Sequence, residues 1–168
     1  MNLQRLRPPN PHDYLPEVPS LEVRSGSIDG EGLLDPAHRG DSPQGGVSPH
    51  VAWAEGPEGT ESYAVSMFDI DAPTPGGIHH WVVVDIPKDV RELAVGSLST
   101  GTTMLNDLGT AEYVGAAPPP GDWEHRYLIT VWALGKETLD LAPGTPASLT
   151  AFHLTVGSLA RGTLVAVV

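Results

Sequence analysis

The chain has no cysteine in its 168 residues. That excludes disulfides and thiolate chemistry and leaves the redox compartment open. Basic residues are also scarce, with 9 Lys and Arg against 21 Asp and Glu, for a net charge of -12. Such a surface repels phosphate backbones, so no nucleic-acid partner is expected, and a whole anionic membrane is a poor partner for the same reason. A small anion remains admissible, because a pocket sets its own local field. No apolar run approaches the ~18 residues of a membrane-spanning helix, so no transmembrane segment is expected. The opening MNLQRLRPPN has arginines but no apolar stretch behind them, so it does not read as a secretory leader. A cytoplasmic setting is the default expectation. GxGxxG, Walker, GxSxG and HExxH patterns are missing too, so no cofactor is called for and no nucleophile elbow is present.

What is present is a foldable, turn-rich chain. Hydrophobic residues make up 40%, enough for one domain with a sizeable core. With 19 Gly and 17 Pro, a helical bundle is disfavoured. Residues 1–19 are proline-rich and without periodicity, and read as an N-terminal arm. Residues 20–168 read as the domain. Alternation predicts strands over Ser20–Ser27, His50–Ala54, Ser62–Phe68, His79–Ile86, Arg126–Leu134 and near the end of Leu159–Val168. The unbroken valines at 82–84 suggest burial on both faces. PKDVREL from Pro87 reads as a short helix, and Pro146–Leu154 as another. The glycine-rich stretch 28–48 and the stretch 96–123 read as long loops, which commonly carry function. The sum is a mainly β domain with minor helices.

Its polar residues gather at strand ends. Asp69 and Asp71 follow the third predicted strand, two residues apart, so the period of two puts both on the Tyr63 side. Ordinary Asx-turn capping explains them as well as a shared cavity does. An acid pair sharing a proton is a third reading. His79, His80 and Trp81 open the next strand, where alternation groups His80 with Val82 and Val84. His125 stands at the mouth of the Arg126–Leu134 strand, with Tyr127 two residues on. Each histidine alone reads as a packing residue. A cavity holding His80, His125 and Tyr127 would offer hydrogen-bond donors to an anion, with the acids orienting the rings. Two histidines and a carboxylate could also bind zinc or iron, but no ligand spacing supports a metal. For a hydrolase, Ser66 lies on the strand face opposite Asp69, and Ser48 and Ser99 are loop serines with no elbow. In YVGAAPPPG, Gly115 permits a close approach, the Ala116 and Ala117 N–H groups are placed to face a ligand, and Pro118 to Pro120 stiffen the rim.

Taken together, SPHVAW at 48–53, DIDAP at 69–73, HHWVVVDIP at 79–87, NDLG at 106–109, YVGAAPPPG at 113–121 and HRY at 125–127 resemble the phosphatidylethanolamine-binding protein family. The branch they resemble is that of the bacterial Raf-kinase-inhibitor-like proteins. The resemblance implies a β sandwich with Greek-key topology and short peripheral helices. It implies a small pocket for phosphate or phosphorylated head groups such as phosphoethanolamine, and often a homodimer. Carried over by position, the ligand residues are Asp69, Asp71, His80, Ala117, Pro118, His125 and Tyr127. Ile70 replaces the proline of the usual acidic signature, and Ala117 stands where a glycine is common. Small-anion binding, with regulation as one purpose it could serve, is the leading expectation. The alternatives are a hydrolase or lyase using Asp69 and His80, and inhibition of an unidentified protease or kinase through surface loops.

Overall fold

The computed structural model describes residues 4–43, 46–97, 100–142 and 144–168. Ser99 falls outside them. Strands β1 (Val23–Arg24), β2 (Val51–Trp53) and β5 (Glu92–Leu93) form a small antiparallel sheet in the order β1-β2-β5. Strands β3 (Ser62–Asp69), β4 (Ile78–Pro87), β6 (Thr102–Thr103), β7 (Arg126–Leu134) and β8 (Ser158–Val167) form a larger one, in the order β6-β4-β3-β7-β8, again with every pairing antiparallel. One α-helix, α1 (Ala147–Gly157), and two short 3-10 turns complete the described elements.

Alternation along β3, β4 and β7 feeds two cores. One face sends Tyr63, Val65, Met67, Trp81, Val83, Ile129 and Val131 against Val51, Trp53 and Leu93 of the small sheet. The other sends Ala64, Val82, Val84, Trp132 and Leu134 against Ala147 and Leu154 of α1. The valine run of β4 is therefore buried from both sides, which is why it does not alternate with polar residues. Trp132 buries its indole N–H by donating to Ser66 Oγ at 3.0 Å, which ties that serine to a packing role.

Two segments depart from the sequence reading. Pro87–Leu93 is not a helix. A single turn closed by Val90 N–H to Pro87 O leads directly into β5, because Glu92 and Leu93 find backbone partners on β2. The first predicted strand shrinks to β1, with Ser20 making only an isolated bridge to Arg161 of β8. There Gly162 lets the backbones meet: an added Cβ would sit 2.0 Å from Leu21 O.

The described part of the arm crosses the larger sheet. His12 sets its ring edge-on to Trp132 at 5.7 Å, and Thr163 Oγ1 lies 3.3 Å from its Nδ1. Burial, then the Arg161 charge and more weakly His79, push its pKa down to about 4, against the pull of Asp13. The docked ring binds fewer protons than a free one. Arm docking is therefore complete above about pH 6.5 and weakens progressively as the pH falls toward 4. Proton NMR of the His12 ring should show a midpoint near 4. A midpoint near the ordinary 6.5 would mean that the ring is not docked on Trp132.

Candidate functional site

The ladder between β3 and β4 carries an extra residue where the site forms. Met67 pairs with Trp81 and Phe68 with His79, so His80 has no partner and forms a bulge. Bulges re-aim side chains. Here the bulge frees His80 from the Val82 face to which strict alternation assigns it. Its ring meets the edge of Tyr127 at 5.3 Å between centroids. Tyr127 in turn lies directly across from Asp69, the last residue of β3.

A loop braces this corner. The Asn106 amide donates to Glu112 O at 2.9 Å and Thr110 Oγ1 at 3.0 Å, and its Oδ1 accepts from the Leu108 and Thr110 N–H groups. Val114 N–H donates to His80 O, and His80 Nδ1 lies 2.9 Å from Val114 O. Past it, Gly115 packs so closely on Gly40 that an added Cβ would lie 2.5 Å from Gly40 N. Ala116 N–H donates to His38 O at 3.2 Å, so it is not available to a ligand, contrary to the sequence reading. Ala117 and Pro118 follow on the rim, the first exposed and the second half-buried. His79, on the outer edge, stacks on Phe68 at 4.4 Å and bonds Asp107 Oδ2 at 2.9 Å through Nδ1.

A carbonyl can only accept, so Nδ1 of His80 carries a proton. Burial, opposed by the Val114 carbonyl and the Asp69 charge, holds the ring below the ordinary histidine value. In the neutral ring, Nε2 is then a lone-pair acceptor. Tyr127 supplies the complement. Its side chain is fully buried, and its hydroxyl has no hydrogen-bond partner of normal geometry among the described residues. Burial first, and then the neighbouring Asp69, push its pKa far up, while the Ala117 amide beside it works the other way. The phenol thus stays a neutral donor. An acceptor and an unsatisfied donor, held 5.3 Å apart between ring centres, suit a ligand that offers both an O–H and an oxygen.

The two acids do not share a cavity. Asp69 Oδ2 bonds His125 Nδ1 at 2.8 Å, and its Oδ1 accepts the Asp71 N–H at 2.9 Å. Asp71 lies beyond the strand, where period-two alternation no longer holds. Its fully buried carboxylate receives Arg126 three times: backbone N–H at 2.9 Å, Nε at 2.7 Å and Nη2 at 2.9 Å. Burial opposes its charge, but the Arg126 fork, with Arg7 behind it, outweighs burial and holds the carboxyl below the usual range. His125, fully buried, has Asp69 at Nδ1 and Asp122 Oδ2 at 3.0 Å from Nε2, so neither nitrogen is left for a ligand. The structure therefore gathers Asp69, His80, Tyr127 and the Ala117 backbone, with His125 behind them and Asp71 turned toward Arg126.

Sequence reasoning missed Asp122 and Arg5. Arg5 grips Asp122 with Nη1 at 3.1 Å and Nη2 at 2.7 Å, and stacks over Trp123 at 4.4 Å. This fork, aided by His125 and by the Trp123 N–H, holds the Asp122 carboxyl well below its usual range despite burial. An Asp three residues before a strand-opening His was the one local signal. Nothing in the sequence pointed to Arg5. Among the described residues, no group of three His, Asp or Glu side chains is arranged to hold a metal ion. A groove of about 640 Å³ lies elsewhere, lined by Glu55, Glu58, Glu61 and Lys88 among others. The buried, unsatisfied Tyr127 hydroxyl marks the site better than groove size does.

The phosphatidylethanolamine-binding protein family model matches residues 24–168. UPF0098 protein YbhB of Escherichia coli is 41% identical over 127 residues, covering 71% of this chain and 80% of YbhB. The crystal structure of E. coli YbcL, described as a member of the mammalian PEBP family, superposes with a TM-score of 0.80 at 35% identity, covering 88% of this chain and 97% of YbcL. A Chlamydia trachomatis homologue shares the fold at a TM-score of 0.76 and 22% identity, covering 89% of this chain and 97% of that one. With the family motifs lying on the strand ends that build the site, the chain belongs to the phosphatidylethanolamine-binding protein family, in the branch of YbhB and YbcL.

Proposed function

We propose that this protein binds a small phosphate-type anion, inorganic phosphate or a phosphorylated head group such as phosphoethanolamine, at His80 and Tyr127. The observation that carries the reading is the buried Tyr127 hydroxyl, with no hydrogen bond of normal geometry among the described residues, beside a histidine whose Nδ1 is already committed. A monoprotonated phosphate fits that pair. Its P–OH donates to His80 Nε2, and a P–O oxygen accepts from Tyr127. The Ala117 N–H at the rim is a second donor for the same group, and Pro118 stiffens the edge beside it. Asp69 sits close by, but its charge is shared with His125 through the 2.8 Å contact, which lessens its repulsion of the anion. Asp71 and His125 act on the ligand through their neighbours.

The same reading includes the family's Greek-key winding of the two sheets, a cytoplasmic setting and a homodimer. It also divides the chain into an arm at 1–19 and a domain at 20–168. No described helix is long and apolar enough to cross a membrane. A regulatory purpose fits a site that offers binding groups and whose acid, Asp69, bonds His125.

The test is calorimetric titration of phosphate and phosphoethanolamine, with metals chelated. Replacing His80 by Ala should weaken binding about tenfold or more, since a hydrogen bond to a charged group is lost. Unchanged affinity in that variant would remove His80 from the site. Absence of binding by the wild type would reject the phosphate reading itself.

A further inference from the structure

We propose that Arg5 is a positioning residue of this site and that the N-terminal arm is a strap whose docking is coupled to anion binding. The inference rests on the anion reading above and names what sets the charge behind it. Four groups stand in an unbroken line: Arg5 on Asp122, Asp122 on His125 Nε2, and His125 Nδ1 on Asp69. The middle members are enclosed, with the His125 side chain at 0% and that of Asp122 at 2% exposure. Asp69 then borders Tyr127, whose ring centre lies 6.5 Å from that of His125.

Proton bookkeeping along this line gives Arg5 its role. A neutral imidazole has one N–H and faces two carboxylates, so it satisfies only one of them. With the Arg5 fork on Asp122, that carboxylate has a partner of its own, and the His125 proton is available to Asp69. With the fork removed, Asp122 keeps the bonds to His125 and the Trp123 N–H but loses its cationic partner, and it draws the imidazole proton away from Asp69. Whatever the charge of His125, the group loses one positive charge when the arm leaves. An anion at Tyr127 then meets a more negative Asp69. By reciprocity, an anion that binds better with the arm docked also holds the arm down.

The arm is built for release. Between Arg5 and the turn at 72–75 it spans a cavity of about 390 Å³, lined by Gln4, Arg5, Leu6 and Pro8 on one side and by Ala72 and Pro75 on the other. Its hold there comes from bonds by arginines. Arg5 binds Asp122 and Asp71 O, Arg7 binds Glu124 O and approaches Asp71, and Arg126 Nη2 reaches Pro8 O at 2.8 Å.

The experiment uses the full chain with Arg5→Gln and Arg5→Lys. It reads the ring nitrogen shifts of His125 without ligand, and phosphate affinity by calorimetry. Arg5→Gln should move the His125 nitrogen shifts and weaken phosphate binding about tenfold, with Arg5→Lys recovering part of both. Saturating phosphate should slow tryptic cleavage after Arg5 in the wild type. Unmoved His125 shifts and equal phosphate affinity in Arg5→Gln would overturn the coupling and leave the anion site standing. Shifts that move in a protein that binds no phosphate would uphold the line from Arg5 to Asp69 and reject the ligand instead.

Discussion

Asp71→Ala should cost about 3 kcal/mol of folding stability, read from urea unfolding at neutral pH. The wild-type carboxylate is wholly enclosed and receives three hydrogen bonds from Arg126. Its removal strands a guanidinium and a backbone N–H at the end of β7. The Arg126 side chain is 25% exposed, so water reaches it, which places the loss at the lower end for a broken buried pair. Phosphate affinity of the folded variant should fall far less than in His80→Ala, because Asp71 points to Arg126 and reaches the ligand only through its neighbours. A stability loss below about 1 kcal/mol would show that Arg126 re-pairs easily. A large fall in affinity would return Asp71 to the ligand set.

Gly115→Ala should damage both stability and binding. The added methyl carbon would lie 2.5 Å from Gly40 N, 2.6 Å from Arg39 C and 2.7 Å from Gly40 Cα. All three are backbone atoms, so no side chain can swing aside. Overpacking of this kind costs about 2–3 kcal/mol. The loop between residues 113 and 117 must lift away from residues 38–40, breaking the Gly40 N–H to Ala116 O bond of 2.8 Å. Val114 O, which holds His80 Nδ1, moves with it, so phosphate binding should weaken about tenfold alongside. Gly76→Ala is the control: a Cβ there meets nothing within 4 Å, and its effect should stay within about 0.5 kcal/mol. Full phosphate affinity in Gly115→Ala would mean that the rim does not position His80.

The strong strands were legible because apolar alternation reports them directly. The motif residues were legible as a set because they recur at strand ends. Other features were not. His80 was assigned to the Val82 face by strict alternation, since a one-residue bulge leaves no trace in a run such as HHWVVV. Asp69 and Asp71 were placed side by side because the period of two was carried past the end of β3. Pro87–Leu93 looked helical because the proline and the acids fit a helix start, whereas its fate was set by backbone partners on β2, about forty residues earlier in the chain. Arg5 lay further still from view: its contact with Asp122 spans 117 residues, and no local pattern encodes it.

The bulge at His80 also says something about how this protein can vary. The residues on either side of it, His79 and Trp81, already pair with Phe68 and Met67. The apolar residues that build the two cores lie outside this bulge, so the imidazole takes no part in either. The position can therefore take another side chain at little cost to either core, with the loss falling on the loop that His80 braces.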